Sequence, residues 1–267
     1  MPLLGRGDSG FESLHPDKMS EKFLGQVDIY NKEKLEEKFP LLEEEAYKES
    51  LCAFAEKIFV DENFVGYGKT ANVFKYPDEQ TGLCFKHVHN LLPGNNEIDI
   101  EIEYMDALKD TSTEVRVPEA FASIFSPMKL KKDEEGKKIL SQDRVIVMEY
   151  INGMTLQETR ENISKLPENF NSKEFFDQLE LFVKEMHEKK IYHRDLHDKN
   201  VMIDFETSKP VVIDFGRSCR SYFTDESEQD IYTSIEIEGG REVKKMLPND
   251  NEYLAKMRSE YEQYLTK

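Results

Sequence analysis

The stretch His193-Arg194-Asp195-Leu196-His197-Asp198-Lys199-Asn200, followed by Ile213-Asp214-Phe215-Gly216, constrains this chain more than any other part of it. Asp195 and Asn200 stand five residues apart, and a hairpin's worth of sequence separates Asn200 from Asp214. Asp195 offers a carboxylate to an incoming hydroxyl. Asn200 and Asp214 offer an amide and a second carboxylate, hard oxygen ligands of the kind that Mg2+ or Mn2+ prefers. Phosphoryl transfer needs such a trio in this order.

A chain of 267 residues can bury a sizeable core and suits one two-lobed domain or two small ones. Hydrophobic residues make up 38% and charged residues 34%, a globular composition with a heavily solvated surface. The formal net charge of −18 argues against a binder of nucleic-acid backbones, which concentrates Lys and Arg, and suits cationic partners better. Cys52, Cys84 and Cys219 are sparse, odd in number and without zinc-type spacing, as expected in a reducing compartment. Met1 to Leu4 is too short for a leader, and no apolar run nears the roughly 18 residues that cross a bilayer. The expectation is a cytoplasmic protein with no membrane segment; secretion as an effector is the alternative.

Residues 1–27 read as a mobile tail, and Arg6-Gly7-Asp8 within it is too short a match to carry an adhesion reading. Residues 28–59 place Leu35, Phe39, Leu41, Leu42, Leu51, Phe54, Ile58 and Phe59 at spacings that predict amphipathic helices broken near Pro40. Such an extension is a brace on the core or a docking surface for a protein partner. Five strands follow: a hairpin over 64–76, then 82–89, 116–125 and 144–150, with a charged connection over 131–138. A helix over 97–108 carries Ile98, Ile102, Met105 and Leu108. Beyond Asn152-Gly153 a helix over 172–189 presents a broad apolar face that includes Leu181. Residues 201–205 and 210–215 form a strand pair, and short helices over 241–247 and 252–265 close the chain.

Together the two motifs resemble those of the protein-kinase-like superfamily. The resemblance implies an α+β, two-lobed fold: a five-stranded antiparallel amino-terminal lobe with one regulatory helix (60–151), then a reduced, mainly helical carboxy-terminal lobe (152–267). Gly66-Tyr67-Gly68-Lys69-Thr70-Ala71-Asn72-Val73 sits at the first hairpin, where glycines let a backbone approach a triphosphate. Gly68-Lys69-Thr70 is not a Walker A loop, because Asn63 holds the place of its first glycine and Val73 and Phe74 continue as strand. Gly68 to Phe74 is similar to the nucleotide loop of RIO-type atypical kinases.

By the same resemblance, Gly66, Gly68, Lys69, Thr70 and Val73 would hold ATP with Lys86, whose ammonium needs an orienting carboxylate. Glu101 is the choice for that partner; Glu97 is one turn earlier on a similar face, and Glu103 faces elsewhere. Met148 would be the gatekeeper, with backbone near Glu149 and Ile151 meeting the adenine. Asp195 would align the acceptor hydroxyl, Asn200 and Asp214 would hold Mg2+ or Mn2+, and His193 would brace the loop. Arg194 could meet an activation-loop phosphate at Ser218, Ser221, Tyr222 or Thr224. The alternative of a zinc site from His193, His197, Asp195 and Asp198 is weaker than a structural His193.

Two features depart from ordinary protein kinases. His197 stands where a Ser/Thr-specific enzyme carries Lys, and Asp195-Leu196-His197 looks more like aminoglycoside phosphotransferases. Residues 217–267 contain no Ala-Pro-Glu. Three readings follow: a compact protein Ser/Thr kinase, a small-molecule kinase acting on a cationic acceptor, or a kinase-fold binding module or pseudokinase acting through a protein partner.

Overall fold

Alternating and continuous apolar runs in the first half of the chain build one sheet. The computed structural model describes residues 27–38, 58–67, 71–76, 82–91, 97–126, 128–132, 136–221, 231–238 and 241–265. The chain divides into two compact units, Met1–Pro93 with Phe121–Val147, and Gly94–Ala120 with Met148–Lys267.

In the first unit β1 (Val27–Ile29) and α1 (Lys32–Lys38) precede β2 (Phe64–Tyr67), β3 (Ala71–Lys75) and β4 (Leu83–Leu91). β5 (Ala120–Phe125), β6 (Lys129–Lys132) and β7 (Lys138–Glu149) complete a seven-stranded sheet of order β1-β5-β7-β4-β3-β2, with β6 on β7. The pairings of β1 with β5, β2 with β3, β3 with β4 and β6 with β7 are antiparallel. One core cluster joins Leu83 and Phe85 of β4, Phe121, Ala122 and Ile124 of β5, and Val145 and Val147 of β7 to Val27, Leu35, Ile58 and Phe59.

The sheet therefore has two strands more than the five expected. β6 lies within the expected charged connection, where Lys129–Lys132 pairs with Lys138–Ser141. β1 replaces the start of the expected helical extension. Val27 and Ile29 alternate about Asp28, a period of two that suits an edge strand, and Tyr30 fixes the end of β1 through its hydroxyl, 2.8 Å from Ser123 Oγ. Leu35 of α1 is fully buried, so this part of the extension braces the sheet. The expected tail up to residue 26, the rest of the helical extension over 39–57, and the break near Pro40 lie outside the described residues.

The second unit opens with α2 (Glu97–Leu108), where Ile98, Ile102, Met105 and Leu108 make the buried stripe. β8 (Gly153–Thr155), the single turn α3 (Thr159–Asn162) and α4 (Ser172–Glu188) follow. Asn171 caps α4 by accepting the Glu174 N–H, and Phe175, Phe176, Leu179, Phe182, Val183 and Met186 form its buried face. Leu181 lies off that face and is exposed. Then come β9 (Ile191–Tyr192), β10 (Val201–Asp204), β11 (Pro210–Val212) and β12 (Cys219–Arg220). β13 (Thr233–Glu238), β14 (Arg241–Met246) and α5 (Asp250–Tyr261) end the described order.

β8, β10 and β11 make a small sheet, and β12 pairs with β9. β14 corrects the helix expected over 241–247. Val243 and Met246 mimic helical spacing, but the segment pairs residue by residue with β13, whose Ile235 and Ile237 alternate. The α2 helix, expected in the amino-terminal lobe, groups with the second unit because it packs on the helical turn Phe215–Arg217. The segment after α2 is tied there too: Arg116 donates its N–H to Pro210 O, and its O accepts from Val212 N. No described helix is long and apolar enough to cross a membrane.

Candidate active site

Three of the expected nucleotide-binding positions fall in one row of the first sheet. Gly66 of β2 stands opposite Val73 of β3, and Val73 stands opposite Lys86 of β4. Cross-strand partners share a face, so one face carries the glycine, the β-branched side chain and the ammonium side by side. A Cβ built on Gly66 would meet nothing within 4 Å, so the protein's own packing does not demand glycine there. Lys86 is buried, 8% exposed, in the middle of β4. Gly68, Lys69 and Thr70 lie outside the described residues.

In the second unit α2 buries Glu101 and leaves Glu103 exposed. Four residues separate Glu101 from Met105 and seven from Leu108, which sets its carboxylate on the helix's inner face. Glu103 instead pairs with Arg220 of β12 at 2.7 Å. The side chain of Glu149 is engaged by Arg116, which also reaches Asp204 at 3.0 Å. The Glu149 N–H donates to Glu119 O at 2.8 Å. Met148 is half-buried, and neither backbone polar group of Ile151 has a hydrogen-bond partner among the described residues.

The two polar motifs are laced together. His193 is fully buried; its Nε2 lies 3.0 Å from Ile213 O, and its ring packs 4.8 Å from that of Phe215. Ser218 Oγ donates back to His193 O at 3.3 Å. Asn200 Nδ2 donates to Asp195 O at 2.9 Å, and Ile213 N donates to Asn200 O at 3.0 Å. Asn200 Oδ1 has no hydrogen-bond partner among the described residues. Asp214 is exposed and holds φ 63°, ψ 68°. Arg194 also has a positive φ, 64°. A non-glycine residue in that region carries strain of about 1–3 kcal/mol, which the surrounding bonds must offset.

Asp195 is flanked at longer range by a guanidinium and an imidazole. Arg217 Nη1 lies 3.7 Å from its Oδ1, and His197 Nε2 lies 3.8 Å away. Lys199 N–H donates to His197 Nδ1 at 3.2 Å, which places the neutral ring's proton on Nε2, on the Asp195 side. Burial, and then the charge of Asp195, hold the Tyr253 phenol above its ordinary pKa. Arg194 Nη2 donates to Thr233 O at 3.0 Å and Nη1 lies 3.5 Å from Arg217 O, so its guanidinium is turned onto backbone carbonyls. The zinc alternative does not assemble: His193 is turned to Ile213 O, and His197 to Lys199 and Asp195. Of the expected phosphate acceptors, Ser221 is buried, while Tyr222 and Thr224 lie outside the described residues.

The family model of the protein kinase domain matches residues 59–236. The chain belongs to the protein kinase family. No curated protein matches the chain. A kinase-type phosphotransferase with mixed α and β content is the coarse description that membership supports.

One residue of this kinase that sequence reasoning missed holds the start of the His193–Asn200 loop. Asp250, fully buried at the start of α5, accepts the N–H groups of His193 and Arg194, each at 2.8 Å, and lies 3.0 Å from His187 Nε2. Burial alone would raise its pKa. The hydrogen bond to His187, the nearby His193 and the His193 N–H outweigh burial and hold the group below the ordinary carboxylate value. Asn249 and Glu252 form a capping box that fixes the first turn of α5 around it. The sequence signal was Pro248-Asn249-Asp250, which reads first as a helix start.

Proposed function

We propose that this kinase transfers the γ-phosphoryl group of ATP, with Mg2+ or Mn2+, to a Ser or Thr hydroxyl of a protein. The observation that carries the reading is Asn200: its Nδ2 is fixed on Asp195 O, which leaves Oδ1, without a partner among the described residues, as a hard ligand beside the catalytic loop. Exposed Asp214 supplies the second ligand, and its left-handed backbone turns it out of the strand that precedes it. The nucleotide would supply the transferable group, and the divalent ion would neutralise its oxygens.

The chain's own groups divide the remaining work. Asp195 accepts or orients the proton of the acceptor hydroxyl, with Asn200 fixing the carbonyl behind it. Lys86 supplies an ammonium for the phosphate oxygens, and Glu101 the buried carboxylate expected with such a lysine. Gly66, with open space at its Cα, allows close approach of a phosphate, with Gly68, Lys69 and Thr70 assigned to the same loop. The backbone groups of Ile151, without a partner among the described residues, suit an adenine edge, beside the Glu149 backbone and Met148. Positioning and charge stabilisation carry such a reaction.

A cavity of about 260 Å³ favours a second reading, a small-molecule acceptor. Arg160, His197, Asp198, Tyr253 and Glu260 are among its lining residues, and His197 links it to Asp195. Asp198 and Glu260 now face Arg160, and Glu260 also Lys256, so a cationic metabolite would take the place of those side chains. Labelled ATP with Mg2+, incubated with the kinase alone, with basic proteins and with a panel of amino alcohols, separates the two. Protein labelling that Asp195→Asn lowers by about 10²–10⁴-fold, at unchanged melting temperature, is the expected result. Labelling of the small molecules alone selects the second reading, and no transfer to any acceptor by a folded wild type refutes both.

A further inference from the structure

On the face of β4 opposite to that of Lys86, a second group of side chains converges. His87 and His89 are two apart on one strand and so project from the same face of the sheet. Asp143 lies on β7, the strand beside β4. One ligand atom from each of the three lies within 4.8 Å of the other two. His87 Nε2 and Asp143 Oδ2 are 3.9 Å apart, and the imidazole rings of His87 and His89 lie 4.0 Å apart. We propose that His87, His89 and Asp143 form a binding site for a borderline divalent metal ion of the zinc class.

Donor chemistry sets the class. Two imidazoles and one carboxylate match the three-ligand sets that hold Zn2+ and leave a position for water. Imidazole disfavours Mg2+, so this site is separate in selectivity as well as place from the one assigned to Asn200 and Asp214. Bonds of 2.0–2.1 Å in a tetrahedron put donor atoms about 3.3 Å apart. The present spacings, all within 4.8 Å, exceed that by at most about 1.5 Å. Burial supplies the second argument. His87 and Asp143 are 1% and 9% exposed, and His87 packs against Phe59 at 4.7 Å. A bound dication would neutralise the carboxylate there and join two imidazoles that repel if both are protonated.

The backbone is built to hold the carboxylate in place. Asp143 N–H donates to Ser126 Oγ at 2.8 Å, and Ser126 N–H donates to Asp143 O at 2.9 Å. Coordination would clamp β4 to β7 at the residue next to Lys86, on the other face of the sheet, so the metal would act as a staple of the sheet.

The test uses the full chain, stripped with a chelator and titrated with Zn2+ against a chromophoric competitor, with Mg2+ in excess. One equivalent should bind, with a rise in melting temperature, and Co2+ should give the visible absorption of a four-coordinate site. His89→Gln and Asp143→Asn, the mildest changes at the less buried histidine and the carboxylate, should each weaken binding by more than the about 10–100-fold that loss of an outer-shell partner costs. Both variants should fold, as circular dichroism would report. His197→Gln and Asp214→Asn should leave binding unchanged. Absence of saturable binding in folded wild type overturns the proposal. Wild-type affinity in both His89→Gln and Asp143→Asn, or loss of binding in His197→Gln instead, also overturns it.

Discussion

Replacing Asp250 with Ala should unfold this kinase more readily than any change at the proposed chemistry itself. The carboxylate is fully buried and holds two backbone N–H groups, of His193 and Arg194, at 2.8 Å each, with His187 at 3.0 Å. Truncation leaves both N–H groups buried without an acceptor, at about 1–3 kcal/mol each. The same change removes a charged acceptor, whose hydrogen bonds contribute about 1.5–3 kcal/mol each. The two routes describe one event, so about 3–5 kcal/mol is the expected loss. At roughly 2–4 °C per kcal/mol for a chain of this size, the melting temperature should fall by about 6–20 °C. Asp250→Asn keeps the shape but turns an amide N–H towards a backbone donor, so an intermediate loss is expected.

Urea unfolding followed by circular dichroism measures the loss, and phosphate transfer by the folded fraction reports whether the loop has shifted. The carboxyl is held below its ordinary pKa, so its contribution is present above the unfolded-state value of about 3.9 and disappears as pH falls below it. Wild type should therefore lose stability in acid more steeply than Asp250→Asn. An Asp250→Ala variant that melts within about 2 °C of wild type would refute the reasoning.

Gly153→Ala should also destabilise the second unit, because a Cβ there would meet Ile203 O at 2.3 Å, a backbone atom that cannot rotate away. A loss of about 1–3 kcal/mol by urea unfolding is expected, and a neutral result would show that β8 shifts freely against β10. Tyr261 donates to Asp198 at 2.6 Å; burial first, and then that bond, push its phenol up to about 12. A raised folded-state pKa stabilises fully below the unfolded value of about 10 and fades as pH rises towards about 12. Stability measured across that window should fall less in Tyr261→Phe than in wild type; equal slopes would contradict the assignment.

Local periodicity made part of this fold legible in the sequence. The bounds of α2 are those its apolar spacing predicts, and α4 follows the phenylalanine-rich face from Asn171. Where pairing partners decide, spacing misled. β1 looked helical because its ladder lies with β5, which pairs Val27 with Ile124. β14 looked helical because two apolar residues sat three apart, although Gly239-Gly240 after the alternating β13 was a hairpin signal. In the site, residues within one motif were legible because the motif is contiguous. The Gly66–Val73–Lys86 row needed strand register, and Asp250 needed a helix start brought under a loop that lies far earlier in the chain. His87 and His89 were in plain view, but Asp143 joins them only across the neighbouring strand.

The short strand β1 has a practical consequence for anyone dividing this protein. The family match begins at residue 59, so a fragment started there would discard Val27–Ile29 and Leu35 while keeping β5. The six residues of β5, Ala-Phe-Ala-Ser-Ile-Phe, carry no charge and no proline. Stripped of its neighbour, that segment becomes an open apolar edge able to template the same edge on another molecule. Three residues at one rim thus act as a guard against self-association, and the fragment should precipitate where the chain from residue 27 stays dispersed.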